Sequence, residues 1–125
     1  MKKFPFIAGV ITLAIAIIVG GVFLFSKNSS QDSGFQPPDS YEYYWGDGCP
    51  HCTNVQAFFD TWDKKDQIDI LKLEVWSNPA NARLMRERAK NCEINPSGMG
   101  VPFLVTPEGK CLTGDESIID HFKSL

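Results

Sequence analysis

The 125-residue chain carries Cys49-Pro50-His51-Cys52, two thiols separated by two residues, between the aromatic run Tyr43-Tyr44-Trp45 and an apolar stripe. Cysteines at this spacing serve three chemistries: a metal clamp, a structural staple or a redox pair. A zinc ribbon pairs two such units about 15–20 residues apart. The other cysteines, Cys92 and Cys111, do not form a second unit, so no metal site is expected. A copper site using Cys49, Cys52 and His51 stays open as an alternative, although no Met or His cluster supports it. A disulfide closed over two residues constrains the unfolded chain very little, which argues against a purely structural role. Redox exchange is the expectation, with the electrons carried on the two sulfurs and no cofactor.

Such chemistry needs one sulfur held as an anion. After Pro50 the apolar residues Val55, Phe58, Phe59 and Trp62 recur at i, i+3, i+4 and i+7, one face of a helix. Pro50 suits that helix's first turn, where its missing N–H costs nothing. Cys49 then sits at the helix start, where unpaired N–H groups and the positive end of the macrodipole favour a thiolate. Its pKa is expected to be lowered, making it the nucleophile. Cys52, one turn on and deeper, is the expected resolver that breaks the mixed disulfide formed with a client. Cationic His51 adds to the dipole, and with Pro50 it sets the redox bias. Stabilising the thiolate stabilises the reduced form, which makes the disulfide a stronger oxidant.

The elements that must hold this pair follow from pattern. Tyr41–Trp45 reads as a strand running into the loop Gly46-Asp47-Gly48. Ile68–Val75 is a second strand, and Asn78-Pro79 an N-cap and first position of a helix that runs to about Cys92. Residues 93–100 are a loop. Val101–Val105 is a third strand, with Pro102 near its start as the proline rule requires. Pro107-Glu108-Gly109 turns into a fourth strand at Lys110-Cys111-Leu112. Thr113 with Glu116 forms a capping-box pattern for a last helix, whose buried stripe is Ile118, Ile119 and Phe122. The order β-α-β-α-β-β-α implies a parallel pair followed by an antiparallel hairpin in an α/β fold.

These features together resemble the thioredoxin superfamily over essentially all of Tyr41–Leu125. The resemblance rests on the C-x-x-C after the first strand and on Val101-Pro102 opening the third. It implies a thioredoxin-like three-layer sandwich in which Pro102 is cis beside the cysteines, and Val101 presents backbone to an extended client. Cys-Pro-His-Cys resembles the active site of DsbA-type periplasmic oxidases, on a domain nearer a glutaredoxin in length. Gly109–Asp115 resembles the glutaredoxin segment that holds glutathione, but Thr113-Gly114 stands where that family has Gly-Gly. Many relatives carry a buried acid in the first strand as proton acceptor for the second cysteine. Counting back from Cys49 places Tyr43 near that position and Glu42 beside it; a solvent-facing Glu42 is the other reading.

The ends of the chain set the compartment. Phe4–Phe25 contains no charged side chain and is long enough to cross a hydrocarbon core of about 30 Å. Lys2 and Lys3 precede it, so the N-terminus is expected to stay cytoplasmic and the remainder to be exported. An uncleaved anchor is favoured over a cleaved signal peptide by the length of the run and the lack of an A-x-A site. Residues 26–40, rich in Ser, Asn, Gln, Gly and Pro, read as a flexible tether, leaving 41–125 as the folded domain. The chain carries 12 basic and 15 acidic residues with no basic patch, which argues against nucleic acid.

The outlying residues have plainer readings. Cys92 and Cys111 are candidates for a structural disulfide, the alternatives being two small buried thiols or an electron relay to the active pair. The Arg83, Arg86, Arg88, Lys90 group reads as a solvated helix face, and His121 as a boundary residue. Trp45 is a candidate wall of the client groove. The expected protein is a membrane-tethered extracytoplasmic thiol–disulfide oxidoreductase acting on exported clients. The resemblance implies a quinone-linked membrane partner if it is an oxidase; a reductase or isomerase would be fed from a transmembrane reductant. A copper-handling or non-catalytic binding module is the rival of a different class.

Overall fold

A computed structural model describes residues 35–125. Its centre is β1 (Tyr41–Trp45), whose aromatic side chains suit a pleated surface packed on both faces. β2 (Ile70–Glu74) lies parallel to β1 on one side, and β3 (Phe103–Val105) antiparallel on the other. β4 (Cys111–Thr113) closes the mixed sheet, antiparallel to β3, in the order β2-β1-β3-β4. The parallel pair is joined, as such a pair must be, by a crossover helix, α1 (Pro50–Thr61). α2 (Pro79–Asn91) and α3 (Asp115–Lys123) complete the α/β arrangement, with a short 3₁₀ turn, Pro96–Gly98, in the expected loop.

Strand alternation sorts the core into two layers. Tyr43 faces one cluster with Val55, Phe59 and Trp62 of the α1 segment, Leu104 of β3, and Ile118 and Phe122 of α3. Its neighbour Tyr44 faces the other, with Val75, Met85 and Ala89 of α2, Phe103 and Val105. The helices thus cover both faces of the sheet. α2 starts as its sequence dictates: Asn78 Oδ1 accepts from the N–H groups of Ala80 and Asn81 at 3.1 and 3.3 Å, and Pro79 follows at the first helical position.

Two expectations need correction. The capping box at Thr113 does not form. Thr113 is paired with Phe103 as the end of β4, so the cap moves one residue on, to Gly114 at φ 83°. Gly114 donates its N–H to the Pro102 carbonyl at 3.0 Å, and Ser117 rather than Glu116 supplies the local side-chain bonds, to the Thr113 and Gly114 carbonyls. The second correction concerns the tether, whose residues 35–40 lie on the domain. Phe35 packs against the α2-side cluster and under the Arg88 guanidinium, and the Gln36 carbonyl accepts from Arg88 at 2.8 Å. The apolar surface of Phe35 and the buried Pro38 explains this. The expected span Phe4–Phe25 and residues 26–34 lie outside the described residues. Among the described residues, no helix is long and apolar enough to cross a membrane.

Cys92, the C-cap of α2, is disulfide-bonded to Cys111 in β4, with Cα atoms 6.2 Å apart. The bond closes a loop of sequence separation 19, which in the chain-entropy model stabilises by about 3 kcal/mol. Replacing both residues by alanine, with Cys49 and Cys52 intact, is expected to lower the urea-unfolding free energy by that amount. Equal unfolding curves for the two proteins would show the bond to be energetically idle.

Candidate active site: the Cys49–Cys52 pair at the start of α1

The chain leaves β1 through Gly46-Asp47-Gly48. Gly48 takes φ 78°, a left-handed conformation that costs glycine little, and the Gly46 carbonyl receives the Cys49 N–H at 3.2 Å. This tight turn places Cys49 as the N-cap of α1. Its sulfur acts where Ser or Asp usually does, accepting the Cys52 N–H at 3.2 Å. The Cys49 carbonyl begins the helical ladder, receiving the Thr53 N–H at 3.1 Å and its hydroxyl at 3.2 Å. No acidic residue occupies the first turn to offset the dipole there. A negative charge on Cys49 would therefore meet an N–H group and the positive end of α1.

Cys49 and Cys52 form a disulfide, Cα to Cα 5.2 Å. The expected contrast between an exposed attacker and a buried resolver is absent: the two residues are 5% and 4% exposed. The loop before β3 explains the burial of Cys49. The Val101 carbonyl oxygen lies 3.7 Å from Cys49 Sγ, and the Val101–Pro102 peptide bond is cis. Access comes instead through a cavity of about 320 Å³ that touches both cysteines. Tyr43, Trp45 and Ala57 give it apolar walls, and Gln56, Asp60 and Lys72 a polar end. Trp45 lines this cavity beside both cysteines.

His51, in the first turn of α1, is largely exposed and its ring is engaged from another element. Nδ1 lies 3.1 Å from Oδ1 of Asp115, the first residue of α3. Asn54 donates to the other carboxylate oxygen at 2.6 Å. The Asn54 hydrogen bond, and then that of His51, hold the Asp115 carboxyl below its ordinary range. The pairing of Asp115 with His51 was not foreseen. Sixty-four positions separate the two residues, and only the fold joins them.

Glu42 is buried, but on the opposite face of the sheet from the cysteines. Its carboxylate receives Arg88 Nε at 2.8 Å and Nη2 at 2.9 Å, and the Tyr44 hydroxyl at 2.6 Å. It is neither a proton acceptor for Cys52 nor solvent-facing. Arg88 likewise departs from the solvated helix face on which the sequence placed it. On the cysteine side, β1 presents Tyr43, whose hydroxyl donates to the Cys52 carbonyl at 3.3 Å. Burial raises the Tyr43 pKa far above the ordinary phenol value, so this group stays protonated. His121, the boundary residue, meets the Tyr41 hydroxyl at 3.2 Å, and burial lowers its pKa.

Beyond β2 a second loop joins the site. Glu74 gathers the Trp76 N–H at 2.8 Å, the Ser77 N–H at 2.8 Å and its hydroxyl, and the Asp47 N–H at 3.4 Å. These bonds, the Ser77 hydroxyl foremost, pull the Glu74 pKa down to about 2. Among the described residues, no cluster of three or more His, Cys, Asp or Glu side chains could hold a metal ion. No protein-family model matches the chain, and neither a curated protein nor a solved structure matches it.

Proposed function

We propose that this chain is a thiol–disulfide oxidoreductase with a thioredoxin-like fold, tethered to a membrane by Phe4–Phe25 and acting on exported proteins. One observation carries the reading: the Cys49–Cys52 disulfide sits at the start of α1, with Cys49 Sγ as the N-cap acceptor and the Val101 carbonyl beside it. In the oxidising direction a client thiolate attacks Cys49 Sγ. The S–S bond breaks, Cys52 leaves as a thiolate, and a client–Cys49 mixed disulfide forms. A second client thiolate then attacks the client sulfur of that bond, and Cys49 leaves as a thiolate held by the helix start. The client has lost two electrons and two protons, and the Cys49–Cys52 pair has gained two electrons. A quinone-linked membrane partner that accepts those electrons restores the disulfide.

A second direction of flow is favoured by one contact. The Asp115 carboxylate at His51 offsets the positive charge that a protonated imidazole would project toward Cys49. That weakens thiolate stabilisation and draws the pair toward a reductase or isomerase, recharged by a transmembrane reductant. The reduction potential discriminates. Equilibration with glutathione is expected to give a value well above thioredoxin's, which is about −270 mV, and toward the DsbA end near about −120 mV. A value at or below thioredoxin's assigns the reductase direction. A domain that never equilibrates, yet binds copper through reduced Cys49 and Cys52, would belong to the metal-handling class.

A further inference from the structure

The most exposed large apolar side chain among the described residues is Trp76, 61% accessible just past the end of β2. A lone exposed tryptophan is ordinary on a protein surface. What distinguishes Trp76 is that it is held. Its own N–H and the next residue are gathered by the Glu74 carboxylate. Its ring lies so close over Gly46 that a Cβ at that position would collide with the indole. The ordering cost of an anchor side chain has thus been met before any partner arrives.

Its neighbours place it at the reactive sulfurs. Gly46, under the ring, accepts the Cys49 N–H and also lines the cavity that reaches both cysteines. Val75, one residue before Trp76, belongs to the same apolar cluster as Met99 and Val101, whose carbonyl faces Cys49. The exposed ring therefore adjoins the cavity across Gly46, while the buried Val75 anchors its base in the core cluster against which Val101 packs. A polypeptide presenting its cysteine to Cys49 has this ring on its path.

We propose that Trp76 is a specificity-determining residue: with the cavity joined to it through Gly46, it seats an apolar side chain adjacent to the client's reacting cysteine. The occupant is an extended segment of an exported polypeptide that has not yet folded, the state in which an aliphatic or aromatic neighbour of a cysteine is still accessible. Tryptophan is among the residue types enriched at such anchoring positions. The inference rests on the oxidoreductase reading and adds its substrate class.

The test uses the full chain in its oxidised form and two dithiol peptides that differ only in the residue before the first cysteine, leucine or serine. Rates are normalised to uncatalysed exchange of each peptide with oxidised dithiothreitol. The wild type is expected to prefer the leucine peptide about tenfold in kcat/KM, a preference that falls below about twofold in Trp76→Ala and is largely retained in Trp76→Phe. Trp76→Gln, which keeps a long side chain without the ring, is expected to behave like alanine and serves if the alanine variant misfolds. A wild type that exchanges with both peptides without preference, or a variant lacking the ring that keeps the preference, overturns the proposal alone. A wild type that exchanges with neither peptide overturns the oxidoreductase reading as well.

Discussion

Cys52→Ser is expected to stop turnover while leaving capture intact. With Cys49 free as the thiolate, attack on a disulfide-bonded client displaces one client thiol and leaves a Cys49–client mixed disulfide. No second sulfur then stands one helical turn away to release it. The protein should accumulate as an approximately one-to-one covalent adduct that dithiothreitol dissolves, and steady-state exchange should fall on the order of a thousandfold or more, as when a covalent catalyst loses a reacting group. Cys49→Ser should lose turnover equally but trap nothing, because Cys52 lacks the N-cap position that favours the anion. Non-reducing electrophoresis separates the two outcomes. Adduct formation in Cys49→Ser, or turnover in either variant near the wild-type rate, would show that the sulfurs do not have these separate duties.

The largest stability effect is expected at the far side of the sheet. Glu42 is buried and held by both nitrogens of the Arg88 fork and by the Tyr44 hydroxyl. Arg88→Met leaves that carboxylate buried with one neutral donor, and removing one partner of a buried pair costs about 3–5 kcal/mol. Arg88 also holds the Gln36 carbonyl and covers Phe35, so the variant should release residues 35 and 36 from the domain. The double variant Glu42→Leu/Arg88→Met removes the stranded charge with its partner and is expected to recover most of the loss. Urea unfolding of the two single variants and the double variant at pH 7 closes the cycle. If Arg88→Met costs no more than an exposed ion pair, about 0–1 kcal/mol, the pair is solvated and the buried assignment fails.

Local signals in the sequence predicted the elements well and the long-range pairings poorly. Pro50 with the Val55, Phe58, Phe59, Trp62 stripe located α1, and Asn78-Pro79 located α2, because caps and periodicity act within a turn or two of chain. The strands came out shorter than their apolar runs, Ile70–Glu74 within 68–75 and Phe103–Val105 within 101–105. Pairing with β1 sets those limits, and composition does not report it. The Thr113 box failed for the same reason: an intrinsic preference for capping lost to a register position opposite Phe103. At the site, the two cysteines and Val101 were legible because motif and order place them. The partners of His51 and Glu42 were not. Asp115 and Arg88 come from other elements, 64 and 46 residues away, and no spacing rule spans such distances. Trp76 gave no signal either, since only its position over Gly46 separates it from any other surface aromatic.

The phenol beneath Cys52 bears on the timing of the proposed exchange. Tyr43 is fixed to the Cys52 carbonyl and keeps its proton at any physiological pH, so β1 offers no internal base to take up hydrogen ions as the resolving thiol ionises. Their acceptors lie on the cavity side, where Asp60 lines the space that touches both cysteines and opens to solvent. The release step is thereby tied to groups in contact with the surrounding medium, and its speed should rise with the pH of that medium.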